Sequence, residues 1–182
     1  MRYRIVQVCM IAVAITLFSA EATLSRSVMP TLEGLTRTAS LIVVAQVENV
    51  TEKDDVKVAT ARVIDVWKGR SEGTVQFRAS RSWTCDASTA IPGETVVLFL
   101  AGDAQTDVMA IAYSGIGRLP VNDADGIQTV MLYSSLFTKA LKQEAGVPQE
   151  TFKSHVTLAM LKKHVQQVTE VPLRSGDVTT ND

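Results

Sequence analysis

Histidine and cysteine are scarce in this chain, two of each in 182 residues, and that scarcity removes most metal and nucleophile chemistry. His155 and His164 stand nine residues apart. On one continuous helix they would point roughly 180° apart, so they cannot share a metal, and they read as surface or edge histidines. Cys9 falls in the N-terminal apolar run, which leaves Cys85 as the cysteine of a processed chain. A single cysteine makes no internal disulfide framework, and with so few histidines it builds no structural zinc site. Three states are open to it: buried and inert, exposed and free, or paired to another molecule. Aromatic residues make up 5% of the chain and the formal net charge is −1. A nucleic-acid surface needs excess positive charge and stacking rings, so that partner class is set aside.

Catalytic signatures are missing too. Cys85 with His155 or His164 has no Gly-x-Ser-x-Gly elbow or cysteine-protease signature around it. Gly115-Ile116-Gly117 lacks the rest of any nucleotide fingerprint. In Asn122-Asp123-Ala124-Asp125-Gly126, an EF-hand would need an acid in place of Val121 and a glutamate in place of Leu132, so the stretch reads as turn chemistry. Thr51–Asp55 reads as a charged hairpin turn rather than a metal site. The expectation is a non-enzymatic chain with no cofactor and no metal.

Long apolar runs are confined to the N-terminus. Arg2 and Arg4 precede the mostly apolar Val6–Phe18, and Ala20-Glu21-Ala22 has the small-x-small pattern of a cleavage site. Residues 1–22 are therefore expected to be a signal peptide cut between Ala22 and Thr23. The rival reading keeps the segment as an anchor, although it is shorter than the about 20 residues a span needs. Either way the chain is expected to be exported, to the periplasm or the extracellular space, with no transmembrane span after cleavage.

What is present is β-forming sequence. Thr31–Thr38 reads as a short helix, capped by Thr31, with Leu32 and Leu35 on one face. Leu41–Val50 begins apolar on both faces and then alternates. Val56–Lys68 is long, and its parity switches: Val56 and Val58, then Ala61 and Val63, then Ile64 and Val66 back on the first side. Such a switch predicts a β-bulge, or a coiled strand that serves both sides of a barrel. Val75, Phe77 and Ala79 alternate with polar residues, so one face of that strand meets water. Arg81–Pro92 is a polar loop. Glu94–Leu100 is apolar on both faces from Val96 to Leu100, as in a covered central strand. Further strands are expected within Asp107–Tyr113 and Ile127–Tyr133, with a loose Ser114–Gly117 and a turn at Val121–Gly126 between them. The period then changes. Ser134–Ala145 places Leu136, Phe137, Ala140 and Leu141 on one face, and a second helical region opens at Pro148 with Leu158, Leu161, Val165 and Val168 in a stripe.

Three stretches together carry a resemblance: Ala39-Ser40-Leu41-Ile42-Val43-Val44-Ala45-Gln46-Val47, Val63-Ile64-Asp65-Val66-Trp67-Lys68-Gly69, and Pro92-Gly93-Glu94-Thr95-Val96-Val97-Leu98-Phe99-Leu100. Following a short helix, this set resembles the bacterial branch of the TIMP-like/netrin-like OB-fold proteins, over roughly residues 32–133. The resemblance implies a five-stranded, partly open Greek-key barrel. Inhibitors of that superfamily chelate a protease zinc through an N-terminal cysteine. Here the expected N-terminus is Thr23, with no cysteine beside it, so the mechanism does not transfer. Cys85 stands in the loop where related bacterial chains often carry a cysteine, but no second mature cysteine remains to pair with it.

The expected fold is thus mainly β with C-terminal helices, a small five-stranded Greek-key OB-like barrel. Its parts are a signal peptide (1–22), the barrel with its short N-terminal helix (23–133), a helical extension (134–172) and a disordered tail (173–182). The expected function is an exported binding module of the cell envelope whose partner is a protein or another envelope component. The alternative is a protease inhibitor that works without the N-terminal cysteine. Arg78, Arg81, Trp83 and Cys85 form the expected contact surface, because Trp and Arg are favoured at interface hot spots.

Overall fold

The computed structural model describes residues 29–53, 56–81, 88–102 and 108–170. The segment expected to be a signal peptide, with its expected cleavage pair Ala22 and Thr23, lies outside the described residues, as do Trp83, Cys85 and the expected tail 173–182.

Helix α1 (Leu32–Thr38) is set by its ends. The Thr31 hydroxyl accepts the Gly34 N–H at 3.0 Å, the N-cap its sequence predicts. Arg37 pairs with Glu33 one turn back at 2.9 Å, an exposed contact worth about 0.3–0.5 kcal/mol. Leu32 and Leu35 are fully buried, worth about 1.5–3 kcal/mol each, so apolar burial and not the ion pair holds the helix. At its C-terminal end, the Lys68 ammonium donates to the carbonyls of Thr36 (2.7 Å), Arg37 (3.2 Å) and Ala39. These carbonyls have no partner within the helix, and a cation is the group the helix dipole favours there.

Eight antiparallel strands follow: β1 (Leu41–Lys53), β2 (Val56–Lys68), β3 (Thr74–Arg78), β4 (Thr95–Ala101), β5 (Ala110–Ile111), β6 (Arg118–Ala124), β7 (Ile127–Tyr133) and β8 (Lys153–Thr157). Their order is β3-β2-β1-β4-β6-β7-β8, with β5 paired to β4 off this path. A 3-10 turn (Ser134–Leu136) and helix α2 (Lys139–Glu144) connect β7 to β8, and helix α3 (Leu158–Glu170) follows β8. Among the described residues, no helix is long and apolar enough to cross a membrane.

The central strands are buried on both faces, and this divides the interior in two. Ile42 and Val44 of β1, with Val97 and Phe99 of β4, join Leu32, Leu35, Trp67, Val130, Leu132, Val156, Leu161 and Val165 in one core. The alternate residues Leu41, Val43, Ala45 and Val47, with Val96, Leu98 and Leu100, face Ala59, Ala61, Val75, Phe77 and Ile111 in the other. β2 serves both cores because its pairing with β1 slips between Ile42 and Val43, between Val44 and Ala45, and between Val47 and Asn49. Each slip adds one unpaired residue and flips which side chains face inward. The irregularity predicted from the parity switch is therefore present in β2, where Ile64 and Trp67 are the extra residues, and the third slip leaves Glu48 of β1 unpaired.

The fold is mainly β with C-terminal helices, as expected, and the eight strands form an antiparallel sheet that does not close on itself. Met109 makes an isolated parallel bridge to Phe77 on β3. Three other expectations need correction. Ile64 and Val66 do not rejoin a buried side: they are 53% and 37% exposed, because the slips turn Asp65 and Trp67 toward α3 in their place. Val121–Ala124 is strand rather than turn, and the reversal is only Asp125-Gly126, both at positive φ (54° and 78°). Such a pair matches the right-handed twist of the flanking strands. The region after Pro148 is not helical from its start, since Lys153–Thr157 pairs with β7 before α3 begins at Leu158. Only Val156 of that strand is buried, so its period-2 signal is nearly silent.

Trp67-Lys68-Gly69 is a structural joint. Trp67 is buried and its indole N–H donates to Asp65 Oδ2 at 2.9 Å. Lys68 caps α1. Gly69 sits at φ +82°, and a Cβ there would lie 2.6 Å from the Ser40 carbonyl oxygen. Gly73 has nearly the same φ (+85°) with nothing within 4 Å. Gly73→Ala is thus expected to cost about 1 kcal/mol for the left-handed backbone alone. Gly69→Ala is expected to cost at least about 2 kcal/mol more, since backbone must move. Urea unfolding of the two variants checks this, and equal losses would remove the role given to the Ser40 contact.

Candidate functional site

Two concave regions lie beside the β6–β7 hairpin. The first, of about 580 Å³, runs between the end of β2, the hairpin tip and the start of α3. Its charged side chains already have partners. Asp65 Oδ2 accepts from Lys162 at 2.7 Å as well as from Trp67. Burial pushes the Asp65 carboxyl up, but the hydrogen bonds from Lys162 and Trp67 and the Lys162 charge outweigh it and hold the group below its ordinary value. Asp123 Oδ1 accepts the Gly126 N–H at 3.1 Å and so closes the turn. The Asn122–Gly126 stretch is hairpin chemistry in the structure as well. This cleft fastens α3 to β2.

The second, of about 390 Å³, lies on the face of the β6–β7–β8 sheet turned away from α3. Strand alternation makes it. Val130, Leu132 and Val156 point into the core under α3, so Met131, Tyr133 and His155 point the other way. Pro120 and Asn122 of β6 extend the floor, and Ile116, Leu136, Phe152 and Met29 close it in. Tyr133 and Phe152 meet edge to face, with centroids 5.8 Å apart, yet both remain exposed (41% and 67%). The wall at Ile116 belongs to a tight turn in which Tyr113 and Ser114 both adopt φ 51°, and Gly117 packs where a Cβ would lie 2.9 Å from the Phe99 carbonyl oxygen. Gly115 and Gly117 thus serve the bend the sequence predicts.

Beneath this face lies a buried ion pair. Arg118 donates to Glu94, with side chains 11% and 14% exposed. Glu94 also accepts the Ile91 N–H at 2.9 Å. Arg118 Nε and Ser135 Oγ, both from residues that line the cavity, are buried and make no hydrogen bond.

Of the expected contact residues, Arg78 on β3 and Arg81 after it are exposed, while Trp83 and Cys85 lie outside the described residues. The two histidines do not share a helix. His155 is exposed on β8 at the second cavity. His164 is not a surface residue: it is 6% exposed on α3, with Nε2 3.2 Å from Glu144 Oε2. Glu144 lies 20 residues earlier, beyond the reach of any local pattern. A hydrogen bond from Lys163 holds the Glu144 carboxyl below its ordinary value, with His164 contributing in the same direction. Sequence reasoning missed the second cavity because separated segments build it. The available signal was the doubly apolar run Val130–Tyr133, too apolar for a strand with one wet face.

No protein-family model matches this chain, and no curated protein matches it.

The depressed Asp65 carboxyl has a pH consequence. A carboxyl whose folded value lies below its unfolded one adds stability above the unfolded value, near 4, and loses it as pH falls through the folded value. Asp65 is 40% exposed, so the pair with Lys162 is worth only about 0–1 kcal/mol. Asp65→Asn is expected to be less stable than wild type by about that much at pH 7 and to converge with it below pH 3. Denaturant titrations at the two pH values check the convergence, and a gap that persists at low pH would contradict the assignment.

Proposed function

We propose that this chain is an exported, non-enzymatic binding module of the cell envelope, and that its binding surface is the face of the β6–β7–β8 sheet turned away from α3. The observation that carries the reading is the apolar depression on that face, ringed by the exposed aromatics Tyr133 and Phe152. Binding sites are typically concave and mostly apolar, with a few placed polar groups. Asp65 of the first region and Arg118 of the second are already held in ion pairs, with Lys162 and Glu94, which favours binding over catalysis by these groups.

The TIMP-like/netrin-like OB architecture belongs to the same proposal. Its supports are the order β3-β2-β1-β4, which is that of a Greek key, the pairing of β5 with β4, and the Phe77–Met109 bridge. On this reading β1–β5 is the OB-like unit, and β6–β8 with α2 and α3 is an addition that carries the site.

The test is affinity capture from envelope extract with immobilised full-length chain. Met131→Lys places a charge on the depression, and Trp83→Ala alters the other expected contact surface. An envelope component enriched by wild type is expected to be lost, by at least tenfold, with Met131→Lys and retained with Trp83→Ala. The opposite pattern would move the surface to the Arg78–Cys85 edge.

A further inference from the structure

We infer that the cavity of about 390 Å³ on the outer face of the β6–β7–β8 sheet binds a small, uncharged, mainly apolar molecule carrying one hydrogen-bond acceptor, such as a hydroxyl or carbonyl oxygen. This deepens the reading above and rests on the same face. Three observations define the ligand class.

The first is size and wall chemistry. The volume falls in the lower part of the about 300–1,000 Å³ range of small-molecule sites. Ile116, Leu119, Met131, Tyr133 and Phe152 supply apolar walls, and the flexible thioethers of Met29 and Met131 let them adapt to a ligand's outline.

The second is charge. The cavity's permanent cation is Arg118, and Glu94 already holds it in a nearly buried pair. An anionic ligand would have to compete with that carboxylate, and a cationic one would meet the guanidinium. Arg118 therefore offers no free counter-charge to either sign, and His155, the other basic side chain of the lining, is exposed to water, so an uncharged ligand is favoured.

The third is the remaining hydrogen-bonding capacity. Among the described residues, three buried side-chain atoms lack a partner: Thr36 Oγ1, Arg118 Nε and Ser135 Oγ. Two of the three belong to residues that line this one cavity. Buried polar atoms are nearly always satisfied, so a pair of them in residues that line one depression offers a ligand's polar end its partners once the lining shifts to admit it. Arg118 Nε–H can only donate and the Ser135 hydroxyl can do either, which makes the matching group an acceptor.

The test uses full-length protein labelled with ¹³C at the methionine methyl groups. Six methionines report separately: Met29 and Met131 at the cavity, Met109 and Met160 elsewhere in the fold, and Met1 and Met10 at the N-terminus. The probes are 2-naphthalenemethanol, which is uncharged, and 2-naphthoate, which carries a carboxylate on the same ring. Saturable shifts of the Met29 and Met131 methyls by the alcohol are expected, with Met109 and Met160 unmoved and naphthoate at least tenfold weaker. Ser135→Ala is expected to weaken the alcohol several-fold. Met131→Lys is expected to abolish the Met29 shift, with the Met109 and Met160 positions reporting that the fold is intact. No saturable shift at Met29 and Met131, or equal binding by naphthoate, would overturn the inference. Loss of capture by Met131→Lys without naphthalenemethanol binding would overturn this ligand class and keep the partner-binding surface. Naphthalenemethanol binding with capture unchanged by Met131→Lys would do the reverse.

Discussion

Two central strands covered on both faces set the terms for the rest of this structure. β1 and β4 are apolar at successive positions, so whichever face meets one core, the other must also leave water. One layer cannot satisfy this. β2, β3 and β5 cover one side, while α1, α3 and the β6–β8 sheet cover the other. The fully buried Phe77 fills the first side and Phe99 the second, each worth about 1.5–3 kcal/mol. The three register slips between β1 and β2 follow from the same constraint. A strand that contributes Ala59 and Ala61 to one core and Trp67 to the other must change parity along its length. The C-terminal elements are thus structural: without them Ile42, Val44, Val97 and Phe99 would face water.

The sequence pieces that carry the family resemblance are joints of this arrangement. Lys68 closes the C-terminal end of α1, and Gly69 lets the chain pass the Ser40 carbonyl. Pro92-Gly93-Glu94 is held against β1, with the Gly93 N–H donating to the Val47 carbonyl at 2.7 Å and the Val47 N–H to the Glu94 carbonyl at 2.9 Å. Motifs of this kind report how a chain turns and caps. They carry no statement about what it binds, which is why fold and function have to be argued from different residues here.

Legibility followed the same division. α1, β1, β2 with its bulge, β3, β4 and β7 could be read because their apolar periodicity is strong and their caps are local. β6 could not, since Asn122-Asp123-Ala124 is exposed and uses the residue types of a turn, although only Asp125 and Gly126 turn the chain. β8 could not, because one buried residue in five gives no alternation to detect. His164 looked like a surface histidine because its partner Glu144 comes from a helix whose position is a tertiary fact. The cavity was invisible for a related reason. Apolar residues on the second face of a strand resemble ordinary core until the covering layer is known to lie on one side only.

The charge state of the cavity traces back to one turn. Glu94 accepts the Ile91 N–H, so its carboxylate has a local task in the Pro92-Gly93 reversal whether or not a ligand exists. Holding that carboxylate nearly buried requires a cation, and β6 supplies Arg118 where it pairs beside Leu98. A buried pair of this kind is weak grounds for stability, because apolar replacements of similar volume often do as well or better. Its firmer consequence is geometric. The guanidinium is fixed beneath an apolar depression with its charge answered and its Nε–H left over. A site built this way rewards shape, apolar surface and one acceptor, and it discriminates against charge of either sign.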